Sequence, residues 1–143
     1  MTNNNNNNKP LINLTPHDIH VYLSETEKTT IPRSSKVARV RQAPAVQCRE
    51  LHSEYGLDKP VSVMQAPVFL GVEWPDFEFS DFSGVVVSMV VGQAVQKMPA
   101  SERPPVAVFG PDTSPSAVIR DQEGQIKGVT RLLAYHLPGD ETE

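Results

Sequence analysis

The sequence predicts an α+β fold: a small, mostly-β mixed sheet with one principal helix, set in a strand–helix–strand unit over residues 84–109, and a C-terminal β-hairpin. Three observations carry this. Val85–Val87 is an unbroken apolar run, the pattern of a strand buried on both faces. Beyond it the apolar positions change step to Val91, Ala94, Val95 and Met98, the stripe of an amphipathic helix. Toward the end, Asp121-Gln122-Glu123-Gly124-Gln125 separates two β-rich runs and is a strong hairpin-turn signal.

In chain order, Leu11–Leu14 and Ile19–Leu23 are short strands joined by Thr15-Pro16-His17-Asp18. Proline holds Thr15 extended there, and Asp18 suits a turn. Ile31–Ser35 is a further turn, leading into a strand over Val37–Arg41, while Val46–Tyr55 fits a short helix or an irregular strand. Val61–Met64 and Val68–Val72 are β-rich and broken at Ala66-Pro67; Pro75–Ser83 is an acidic loop anchored by Phe77, Phe79 and Phe82. Ser88 suits the N-cap of the helix and Pro99 ends it. Val106–Phe109 is the next strand, and a crossover of this length favours a parallel, right-handed unit. Ala117–Arg120 and Ile126–Tyr135 flank the closing turn. Thirteen prolines forbid long helices.

A length of 143 residues with 38% hydrophobic content suits one compact domain, expected over 10–137. It lies between a disordered Asn-rich tail (1–9) and an acidic, frayed tail (138–143). A net charge of −4 argues against a surface that neutralises many phosphates, so no nucleic-acid partner is expected. Arg39 and Arg41 alternate with Ala38 and Val40 like the solvated face of a strand. Cys48 is the only cysteine, which excludes an internal disulfide and fits a reducing compartment or simple indifference to redox conditions. No run reaches the ~18 apolar residues of a membrane span, and the polar start is unlike a signal peptide, so a cytoplasmic location without a membrane partner is expected. Exposed sheet edges in so small a chain favour a homo-oligomer.

The segments LINLTPHDIHVY and IPRSSKVARV, with VVVSMVVGQAV and VFGPDTSPSAVIRDQEGQIKGVTRLL later, resemble a family of small phage, prophage and bacterial proteins. That family opens on Asn-Leu-Thr-Pro-His, and closes with a Val-Ser turn into a helix, an Asp-Thr turn and an Arg-Asp-x-x-Gly hairpin. The likeness runs from Leu11 to Leu133, loosest between Gln42 and Ser83. The family has no settled activity, so the resemblance implies a fold and a phage context and transfers no catalytic residue. The Asn-rich start and Ser114, where glycine is usual, depart from its pattern.

Ligands of open α/β sheets bind beyond the carboxyl ends of the strands, which directs attention to Ser88 and to Asp112-Thr113-Ser114. Ser88, at a helix start, suits an anion, and equally a plain N-cap. Asp112 can accept from ligand hydroxyls with Thr113 or Ser114 donating to a phosphate, or can close an Asx turn. His17, flanked by Thr15 and Asp18, can act as a general base, donate to a phosphate or ribose, or simply bond the local backbone. Arg120 is the remaining candidate; it and Asp121 can pair with each other, and Arg131 across the hairpin. The four histidines, His17, His20, His52 and His136, lack metal-ligand spacing. With no dinucleotide, Walker or zinc-protease motif either, neither a metal nor a cofactor is expected. A Cys48–His52 pair at helical spacing lacks an orienting third group.

Three functions follow from these residues. The first is a phage-type accessory protein that binds a small anionic, nucleotide-like ligand, with sequestration of a host signalling nucleotide as one use. The second is an interaction module or inhibitor of a host protein, presenting Trp74, Phe77, Phe79 and Phe82. The third is a small hydrolase using His17 with Asp18 or Asp112 on a phosphate- or ribose-bearing substrate. Binding without turnover is the expectation.

Overall fold

The computed structural model describes residues 9–43, 47–66 and 68–139. The Asn-rich start as far as residue 8, the acidic end from residue 140, and Pro67 of the expected break all lie outside the described residues. The first strands are β1 (Leu11–Asn13), β2 (Ile19–Tyr22), β3 (Lys28–Ile31), β4 (Arg39–Gln42), β5 (Gln47–Leu51), β6 (Val61–Met64) and β7 (Phe69–Glu73). Then come β8 (Gly84–Val86), the helix α1 (Met89–Lys97), β9 (Ala107–Pro111), β10 (Val118–Arg120), β11 (Ile126–Val129) and β12 (Leu132–His136).

The protein is a mixed α+β fold built on two four-stranded mixed sheets. The first has the order β1-β8-β9-β12, with β1, β8 and β9 parallel and β12 antiparallel to β9. The second has the order β10-β11-β2-β3, where β11 runs parallel to β2 and the outer pairings are antiparallel. Alternation along the first sheet sends its side chains into two cores. Ile12, Val85, Val108 and Tyr135 face α1 and meet its Val91 and Val95. Leu11, Val86, Phe109 and Leu132 face the second sheet and meet Ile19, Val21 and Val129. Val85, Val86 and Val87 are all fully buried, so the apolar run lies where its composition directs. Burial of each is worth about 1.5–3 kcal/mol, which makes β8 the spine of the fold.

Helix α1 begins at Ser88, whose Oγ accepts from the Val91 N–H at 3.4 Å, and it gives way at Met98 before Pro99. Its Gly92 and the Gly110 of β9 both approach the Tyr135 ring closely. A Cβ on Gly92 would fall inside the envelope of Cδ2 and Cε2, and one on Gly110 would lie 2.8 Å from Cε2. Trp74 and Phe77 pack edge-on against Phe79, Phe82 lies tilted against Phe77, and all four pack against the helix-side core. The aromatic loop is therefore an anchor, as its spacing predicts.

Several elements differ from the sequence expectation. Strand β3 precedes the Ile31–Ser35 turn; its Lys-Thr-Thr sequence has no apolar alternation and is recruited only by pairing with β2. Of the segment Val46–Tyr55, Val46 lies outside the described residues; the rest resolves as strand β5 with a 3-10 turn at Ser53–Tyr55, because β5 pairs with β6. Cys48 and His52 therefore do not share a helix face. The run Ile126–Tyr135 divides between the two sheets. At the division, the Thr130 N–H donates to the Ala117 carbonyl at 2.8 Å and the Asp112 N–H to the Arg131 carbonyl at 3.1 Å.

Candidate functional site

The three parallel strands β1, β8 and β9 end on the same side of the first sheet, and the chain leaves each through polar residues. After β1, the Asn-Leu-Thr-Pro-His turn is organised by Asn13, whose side chain is fully buried although it is polar. Asn13 Nδ2 donates to the carbonyls of His17 and Ile31, each at 2.9 Å. Its Oδ1 accepts from the Thr15 N–H at 2.9 Å and lies 2.7 Å from the Thr15 hydroxyl. That hydroxyl is also 2.9 Å from the His17 carbonyl; with one proton, it donates to one of the two. One side chain thus fixes the turn to β3 and leaves the His17 ring exposed to solvent.

Between these strand ends and the second sheet runs a cleft of about 900 Å³, within the size range of small-molecule sites. One wall is Thr15, Pro16, His17 and Asp18 from the first turn, Ser88 and Met89 from the helix start, Pro111 at the end of β9 and Thr113 beyond it. The other wall is supplied by β2 and the β10–β11 hairpin, including His20, Arg120, Ile126 and Lys127. Six sequence-selected residues (Thr15, His17, Asp18, Ser88, Thr113 and Arg120) therefore share one cleft.

Asp112 and Ser114 do not line it. Asp112 is buried, with Oδ1 accepting from the Ser114 N–H at 3.0 Å and Oδ2 from Arg131 Nε at 2.7 Å. Hydrogen bonds from Ser114, then the Arg131 guanidinium, hold its carboxyl below the ordinary value. Both oxygens are thus engaged in the chain's own structure. Burial, and second the Asp112 charge, push the Tyr135 phenol up. Arg131 binds Asp112 and Ser116 rather than a partner across the hairpin. Arg120 and Asp121 do not pair: Arg120 donates to the Gly124 carbonyl at 2.7 Å, while Asp121 accepts from the N–H groups of Glu123 and Gln125.

The charge in the cleft is opposite to that of the chain. Arg120 and Lys127 face a single carboxylate, Asp18, so the lining carries one net positive charge with its histidines neutral, against −4 for the whole protein. Asp18 is turned away toward Arg33, accepting from its N–H at 2.9 Å with the guanidinium at 3.9 Å. Neither Arg120 nor Lys127 has a carboxylate within ion-pair distance among the described residues. Met89 and Ile126 add exposed apolar surface to the same cleft. His17 has no carboxylate hydrogen-bonded to its ring among the described residues, so the pairing needed by a His/Asp hydrolase is not assembled. Lys127, His20 and Ile126 escape a sequence reading, because only the parallel pairing of β11 with β2 brings two distant segments together; Met89, next to Ser88 at the start of α1, reads there only as an apolar helix residue.

Among the described residues there is no group of three His, Cys, Asp or Glu side chains able to hold a metal, and no helix long and apolar enough to cross a membrane. No protein-family model, curated protein or solved structure matches the chain.

Proposed function

We propose that the protein is a cytoplasmic accessory protein that binds a small anionic, nucleotide-like ligand in the cleft between its two sheets. The observation that carries this reading is the pair of unneutralised cations, Arg120 and Lys127, facing the start of α1 across a cleft in an otherwise acidic protein. Free N–H groups at a helix start favour an anion, and two cations without a carboxylate partner suit a phosphate, Arg120 resting on the Gly124 carbonyl and Lys127 5.4 Å from the centre of the Tyr22 ring. Met89 and Ile126 offer an apolar surface to a base, and the hydroxyls of Ser88 and Thr113 suit a ribose or a phosphate oxygen. The resemblance to phage and prophage proteins adds a use, the sequestration of a host signalling nucleotide.

The test is thermal unfolding against mononucleotides, cyclic dinucleotides and ADP-ribose, followed by mass analysis of each compound. A ligand at about 100 times its Kd adds ~2.7 kcal/mol of stability, a shift of several degrees. The reading expects such a shift with the compound intact, and its loss in the Arg120→Ala/Lys127→Ala protein. A flat panel overturns it, and a consumed compound replaces binding by catalysis.

A further inference from the structure

Two imidazoles share the cleft with its two cations: His17, in the turn after β1, and His20, in β2. The local structure sends both there. Ile19 and Val21 enter the buried core, so alternation along β2 turns His20 to the opposite face. Its Nδ1 then lies 2.9 Å from the Thr30 hydroxyl of β3. A hydroxyl donates to a neutral ring nitrogen and accepts from a protonated one, so Thr30 holds this ring in either state and leaves Nε2 for another partner. His17 is fixed through its backbone, whose carbonyl accepts from Asn13, while its ring is exposed.

The charged groups around these rings are few. The first turn adds Asp18, β10 adds Arg120 and β11 adds Lys127, whereas α1 and β9 line the cleft with neutral groups only. Lys28, two positions along β3 from Thr30, stands over the Tyr22 ring. The one lining carboxylate, Asp18, is drawn to Arg33, accepting from its N–H at 2.9 Å. Within the lining no anion is left to hold an imidazolium, and a bound anion would do so. An opposite charge within ~4–6 Å favours the charged form of a titrating group, and histidine gains its charge between about pH 8 and pH 5. Such coupling is reciprocal: what the anion does for the proton, the proton does for the anion. We propose, resting on the anion-binding reading above, that His17 and His20 are further ligand-binding residues and make anion capture proton-dependent. Protonation of both takes the lining from one net positive charge to three.

ADP-ribose tests this, because neither of its bridging phosphates titrates in that range. Calorimetric titration is expected to show at least about tenfold tighter binding at about pH 5.5 than at about pH 8, the lower end of the effect of one opposite charge on a titrating group. The His17→Gln/His20→Gln protein should bind like the wild type at about pH 8 and lose the gain in acid, whereas Arg120→Ala/Lys127→Ala should weaken binding at both. A second measurement needs no variant: adding sulfate to the wild type at about pH 6.5 should move the ring C–H resonances of His17 and His20 toward their acid positions. Those of His52, which does not line the cleft, should stay in place. Binding that depends on Arg120 and Lys127 but is equal at both pH values overturns the proton dependence and leaves the anion reading standing. An acid gain that persists in the His17→Gln/His20→Gln protein overturns the role of the two histidines. Absence of binding by either probe at every pH overturns both readings together.

Discussion

Gly92→Ala sets two effects of known size against each other. Within a helix, alanine is favoured over glycine by about 0.8–1.0 kcal/mol, so a freely placed α1 would gain stability. In this fold the new methyl falls inside the Tyr135 ring envelope, 2.6 Å from Cγ, and the ring also lies close against Gly110. Neither contact is the far end of a flexible side chain, so the helix or the strand must move. Overpacking of this kind costs about 1–3 kcal/mol, and a methyl placed within the ring's own atoms belongs at the upper end. The net expectation is a loss of about 1–2 kcal/mol, a fall of roughly 3–6 °C in Tm for a chain of this length. Urea and thermal unfolding of the wild type, Gly92→Ala, Tyr135→Ala and the double variant complete a cycle. Tyr135→Ala removes the obstacle, so in that background Gly92→Ala should become stabilising. Tyr135→Phe keeps the ring and should keep the penalty. If Gly92→Ala stabilises the wild-type protein by about 1 kcal/mol, the close seating of α1 on β9 and β12 is refuted.

Asn13→Asp is nearly isosteric, but it points a carboxylate at the carbonyls of His17 and Ile31 where Nδ2 now donates. With unsatisfied buried partners costing about 1–3 kcal/mol each, a loss of at least 2 kcal/mol is expected by urea unfolding at neutral pH; an unchanged midpoint would remove Asn13 as the organiser of the turn. Asp112 gives a pH dependence: its folded pKa lies below the ordinary aspartate value of 3.8, so its stabilisation is present above that value and is lost as pH falls through the folded pKa. Asp112→Asn should therefore be less stable than wild type at neutral pH, and the difference should shrink in acid urea titrations below about pH 3.8.

The parts of the fold visible in the sequence are those whose period is set by burial. Val85–Val87 lies between two cores, and the stripe through Val91 and Val95 faces only one; both facts are written in apolar spacing. The hairpin turn at Asp121–Gln125 is equally local, since Asp121 bonds its own turn and Gly124 takes φ 84° there. Strand β3 is exposed along most of its length and has no such period. Strand β5 carries Arg49 and Glu50 in its middle, and its pairing with β6 is what makes it a strand. The departure of β12 from β11 depends on Arg131 reaching Asp112, nineteen positions earlier, a contact without any local signal.

The cleft divides in the same way. The carboxyl-end rule finds the part of the first wall that follows β8 and β9, whereas Thr15, His17 and Asp18 are legible only as turn residues and join that wall through the parallel pairing of β1 with β8. It overvalues Asp112, since a turn aspartate that closes its own Asx motif and one that faces a ligand look alike until Arg131 is seen on the second oxygen. The opposite wall depends on β11 lying beside β2, a pairing between segments about a hundred residues apart. That pairing delivers Lys127 and turns an isolated arginine into a pair of cations facing a helix start. The electrostatic character of the cleft is thus a property of strand order, and for an anionic ligand the decisive test is removal of Arg120 and Lys127 together: neither lies in the buried cores, so loss of binding with unfolding unchanged would separate recognition from stability.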